Sequence, residues 1–120
     1  MNTEKQLQLV TFEQAKRLRD LGFDWIVFHT FDENDKPAFT GSQENYNSYE
    51  FYGRVSCPTV ALALKWIEDV KGIRNYSTQY TSAEDYIYFI GVTNYGRFLS
   101  REDAESSLLD ELLTILEQQK

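Results

Sequence analysis

Between Pro58 and Gly72 the chain places Val60, Leu62, Ala63, Leu64, Trp66, Ile67 and Val70 in one stretch with helical spacing. A helix that is apolar over so much of its surface must be covered by other elements, so the rest of the chain has to fold around it. Pro58 suits the first helical turn and Gly72 the stop, which predicts a helix over 58–71 with Trp66 buried at the centre of the core.

Two further helices are signalled by their ends. Thr11 with Gln14 reads as a capping box, Val10 with Ala15 as a hydrophobic staple, and Gly22–Phe23 as a Schellman ending, which predicts a helix over 12–21. Ser100 with Asp103 repeats the box, Leu99 with Ala104 repeats the staple, and Leu108, Leu109, Leu112, Leu113 and Leu116 supply an apolar stripe for a helix over 101–118. Glu102, Asp103 and Glu105 then lie at the positive end of that helix dipole.

The intervening stretches favour strands. Trp25–Phe31 is bulky and β-branched on both faces and reads as a central strand, with Ala38–Thr40 returning antiparallel after the turn-forming residues 32–37. Gly41–Glu50 reads as a polar loop and Phe51–Val55 as another short strand. Ile73–Tyr80 and Asp85–Thr93 read as a hairpin, with Tyr86, Tyr88, Ile90 and Val92 on one face. Helices and strands are mixed without regular βα alternation. The expected class is therefore α+β, a small antiparallel sheet with three helices packed on it.

A chain of 120 residues, 42% hydrophobic and 26% charged, fits one domain over 1–120, with residues 1–10 as an N-terminal segment free to be flexible. The formal charge of -7 would repel phosphate backbones, so direct nucleic-acid binding is not expected. Much of the acid falls in residues 24–56 and 100–120, but in no long run of like charge, which suits a solvated face. Residues 1–8 are polar, and no apolar run is long enough to span a membrane; the expected location is the cytoplasm. Cys57 is alone, so neither an internal disulfide nor a paired zinc ligand is expected.

Few residues point to chemistry. Cys57 at a helix start with His29 as base would be a nucleophilic dyad, but a lone cysteine more often packs as a small hydrophobe and no third residue orients the pair. Asp32, Glu33 and Asp35 offer carboxylates, yet Lys36 and Pro37 interrupt any calcium-loop pattern, so a solvated turn is expected and no metal. Asp110 and Glu111 diverge on a helix, and no phosphate-cradling glycine motif or nucleophile elbow occurs. The expectation is a protein that is not an enzyme and needs no cofactor. Of the chain's 8 tyrosines, Tyr46, Tyr49 and Tyr52 recur every third residue around the polar loop; as amphipathic rings they are the candidate binding residues.

The segments from Thr11 to Asp24, from Cys57 to Trp66 and from Ser100 to Leu116 resemble a group of small uncharacterised proteins of phages, prophages and transmissible elements of gut bacteria. The resemblance implies a genomic setting rather than an activity, and it transfers no functional residue. It favours a noncatalytic accessory factor that binds a host or element protein. The alternative is a small-molecule binder that sequesters a nucleotide signal between the sheet and the second helix. An acidic DNA mimic fits less well, because the charge is dispersed. A homo-oligomer is compatible with all three.

Overall fold

The computed structural model describes residues 8–31, 36–48, 54–81 and 83–119. In chain order they form α1 (Phe12–Asp20), β1 (Val27–Phe31), β2 (Pro37–Glu44), β3 (Val55–Ser56), α2 (Val60–Trp66) running into a π-helical turn (Ile67–Lys71), β4 (Tyr76–Tyr80), β5 (Tyr86–Ile90), β6 (Thr93–Phe98) and α3 (Arg101–Gln118). All strand pairs are antiparallel, and the class is α+β. The strands do not join in one sheet. They divide into two three-stranded sheets, ordered β2-β1-β3 and β4-β5-β6, because β3 is only two residues long before the chain turns into α2.

The ends of α1 follow their sequence signals. Thr11 Oγ1 accepts from the Gln14 N–H at 3.1 Å, and Gln14 Oε1 accepts from the Thr11 N–H at 2.9 Å. At the other end Gly22 takes φ 99°, and the Phe23 N–H donates to the Leu18 carbonyl, completing a Schellman motif. Gln14 does more than cap: its amide nitrogen donates to the Ser106 carbonyl and to Asp110 Oδ1 of α3. Arg17 adds a fork of 2.9 and 2.7 Å bonds onto the Glu117 carboxylate, so α1 and α3 are held side by side by polar side chains.

Helix α2 starts two residues later than its proline suggests. The Val10 N–H donates to the Pro58 carbonyl and the Val60 N–H to the Gln8 carbonyl, which holds 58–60 extended against residues 8–10 and leaves Thr59 to cap the helix. Residues 8–10 are thereby tied to the body, and Val10 is buried. Trp66 is 1% exposed and meets Phe23 edge-on, with ring centroids 5.4 Å apart. Val70, expected in the core, is exposed, because the extra residue in the π-helical turn rotates it away from the face that α-helical spacing assigns it.

Helix α3 buries Leu108, Leu109, Leu112, Leu113 and Leu116 as its stripe requires. Its expected staple does not form: Ala104 is buried but Leu99 is 92% exposed. Strand β2 extends over Gly41–Glu44, expected as loop, by bulging against β1 between Val27 and His29, where Gly41 takes φ 78°. The expected single strand over 85–93 is two strands, joined by a Gly91–Val92 turn in which Gly91 takes φ 63°. Val92, at the turn tip, is therefore in solvent rather than beside Tyr88.

Candidate functional site

The first sheet leaves apolar side chains without internal cover. Ile26 and Phe28, at the start of β1, are 54% and 43% exposed, and Phe39 on β2 is 65% exposed. Phe28 and Phe39 stack with centroids 5.7 Å apart, and the His29 ring meets Phe39 edge-on at 5.4 Å. Pro58, Thr59 and Leu62, at the entry to α2, form the facing wall, and Cys57 and Val27 contribute lining from the buried side. Together with Gln43 they enclose an open groove of about 290 Å³.

The backbone explains why these residues meet. The Cys57 N–H donates to the His29 carbonyl at 2.9 Å, so the chain leaving β3 continues alongside β1 and carries the start of α2 to the groove. On the other side the β2 bulge is pinned by Thr40, whose hydroxyl donates to the Phe28 carbonyl at 2.9 Å. The walls are thus fixed by main-chain and side-chain bonds, while the contact surface between them is apolar. Asp24 and Glu44 are both exposed: Asp24 lies two residues before Ile26 in the chain, and Glu44 pairs with Val27.

Cys57 and His29 both line this groove, yet they do not make a dyad. Cys57 is 1% exposed, its Sγ–H points to the Val10 carbonyl at 3.9 Å, and burial pushes its pKa up to about 12. A thiol held in that state is a poor nucleophile at neutral pH. Because the folded-state value lies above that of an unfolded thiol, the associated stability is present at neutral pH and is lost as pH rises above about 9 towards about 12. Two results follow and can be measured: iodoacetamide should label native Cys57 far more slowly than the urea-unfolded chain, and thermal stability should fall through that alkaline window.

Of the three candidate binding tyrosines, Tyr46 alone lies among the described residues, and it is not an exposed anchor. Tyr46 is buried, with 4% exposure, because its hydroxyl finds partners within the sheet: it donates to the Ser42 carbonyl at 2.7 Å and lies 2.6 Å from the Thr40 hydroxyl. A polar stretch can bury a tyrosine when its own strand turns the ring inward and satisfies the oxygen. Tyr49 and Tyr52 lie outside the described residues, as do Asp32, Glu33 and Asp35. Among the described residues no cluster of three histidine, cysteine or acidic side chains is placed to hold a metal ion. Asp110 is engaged with Gln14 and stands 3.6 Å from Arg17, a structural position between α1 and α3.

The groove was partly legible in the sequence. W-I-V-F-H-T-F is apolar on both faces, and a small sheet with helices on one side can cover only one of them. The other face, with Phe39 beside it, is left exposed. No described helix is long and apolar enough to cross a membrane. Comparison of the chain with protein-family profiles, curated proteins and solved structures found no match in any of the three.

Proposed function

We propose that the chain is a noncatalytic protein-binding factor, of the accessory kind that its resemblance to phage and mobile-element proteins implies, acting in the cytoplasm through the groove between β1, β2 and α2. The observation that carries this reading is the exposed cluster of Ile26, Phe28 and Phe39 around a groove in which, among the described residues, His29 is the one titratable side chain on the open side. Grouped apolar exposure of this kind favours binding, because large rings in a concave setting gain most when a partner removes them from water. The favoured occupant is a partner segment with one aromatic or large aliphatic anchor and flanking Lys or Arg, which would face Asp24 and Glu44 and be attracted by the net charge of -7. Binding of a nucleotide is less well supported, since among the described residues no Lys or Arg lines the groove to meet a phosphate.

A random peptide library displayed on phage tests this directly. Panning on the native protein should enrich peptides with an apolar anchor and basic flanks. Phe39→Glu should weaken binding of those peptides at least about tenfold, equivalent to about 1.4 kcal/mol. Because Phe39 is exposed but stacks on Phe28, the substitution should lower stability by about 1 kcal/mol, too little to unfold the chain. Peptides that bind the variant as well as the native chain would refute the assignment of the groove.

A further inference from the structure

The second sheet carries an interaction surface separate from the groove. Its hydrogen-bond phase is fixed at both ends of the β4–β5 pair: the Gly91 N–H donates to the Asn75 carbonyl, and the Thr81 N–H donates to the Asp85 carbonyl. With Tyr76 opposite Ile90 and Tyr80 opposite Tyr86, the residues that bond to β5 are Ser77 and Gln79. The N–H and C=O groups of Tyr76, Thr78 and Tyr80 therefore point away from β5. Among the described residues none of them has another backbone partner.

Exposed strand edges are ordinarily blunted by bulges, charges, proline or brevity. The other edges here are. β2 is bent at Gly41 and begins with Pro37, β3 has two residues, and β6 breaks register, turns at Gly96 and carries Arg97. β4 has none of these devices. It is Tyr-Ser-Thr-Gln-Tyr, uncharged and in unbroken register across all five residues.

We propose that β4 pairs with β4 of a second copy of this chain, antiparallel about a two-fold axis through Thr78, joining the two β4-β5-β6 sheets into one. The strand reads nearly the same in both directions, as an isologous contact requires. Tyr76 then faces Tyr80 of the second copy and Thr78 faces its own counterpart, both favourable cross-strand pairs, and Ser77 meets Gln79. Tyr80, now 59% exposed, gains cover. Two uncharged strands also avoid concentrating the repulsion between copies that each carry -7.

Sedimentation equilibrium on the native chain, from micromolar to millimolar concentration, tests the pairing. The mass should rise from 14.1 kDa towards twice that value, and more readily with added salt. Thr78→Pro removes an outward N–H without touching the β5 ladder, and edge strands tolerate proline there. It should weaken self-association at least tenfold. The double variant Ser77→Lys with Gln79→Lys, both at exposed positions, should do the same by opposing cations across the axis, and it decides the matter if the proline variant fails to fold. Val92→Lys, at the exposed hairpin tip, should associate like the native chain. A native chain that stays at the monomer mass throughout, or Lys variants that associate as well as the native chain, would overturn the proposal.

Discussion

Trp66→Ala should lower the unfolding free energy by about 3 to 5 kcal/mol. Trp66 is the largest of the fully buried side chains, stands at the end of α2 where the helix passes into its π-helical turn, and is covered edge-on by Phe23. Its removal deletes the contact that joins α2 to the chain segment following α1, and the neighbouring backbone is not free to close the gap. Gly72 at φ 78° stops the helix just beyond it, while α1 is fixed to α3 by Gln14 and Arg17. A domain of this size has about 5 to 15 kcal/mol of total stability, so the substitution should remove a large share of it. Urea titration followed by circular dichroism checks it. A midpoint within error of the native chain would show that the core is centred elsewhere.

Gln14→Glu should cost about 3 kcal/mol at neutral pH, a large effect for a change of one atom type. The introduced carboxylate can still accept from the Thr11 N–H, so the capping box survives. What is lost is the donor to the Ser106 carbonyl and to Asp110, and in its place a buried negative charge faces the more exposed carboxylate of Asp110. Burial and the like charge both raise the folded-state pKa of the new group above its unfolded value. Its protonated form is therefore favoured in the fold, and the lost stability should return as pH falls below that raised pKa. Parallel urea titrations at neutral and mildly acidic pH measure the difference. Equal losses at both would mean that packing, and not the charge beside Asp110, causes the effect.

Gln14 also shows how far local sequence reading reaches. Its capping role follows from Thr11 three residues earlier, but its bonds to α3 join residues some ninety positions apart, and no local pattern announces them. The helices were legible because caps, stops and apolar spacing act over a few residues. The division into two sheets was not, since it depends on how many residues β3 can contribute before the Val10–Pro58 and Val60–Gln8 bonds pull the chain into α2. The Gly91–Val92 turn is hard to read locally, because a β-branched residue after glycine also suits an uninterrupted strand. In the site, Phe28 and Phe39 could be read as apolar but not as neighbours, because their stacking depends on the β2 bulge. Tyr46 misleads in the opposite way: its polar neighbourhood suggests solvent, yet Thr40 and Ser42 satisfy its hydroxyl from within the sheet.

Binding at the groove can be followed residue by residue with backbone amide NMR and a library-selected peptide. Titration of the native protein should move the signals of Ile26–His29, Phe39 and Thr59–Leu62 most, with smaller shifts on β4–β6 and the Glu117 end of α3. Shifts concentrated on α3 or on the second sheet, with the β1–α2 signals unmoved by saturating peptide, would contradict it.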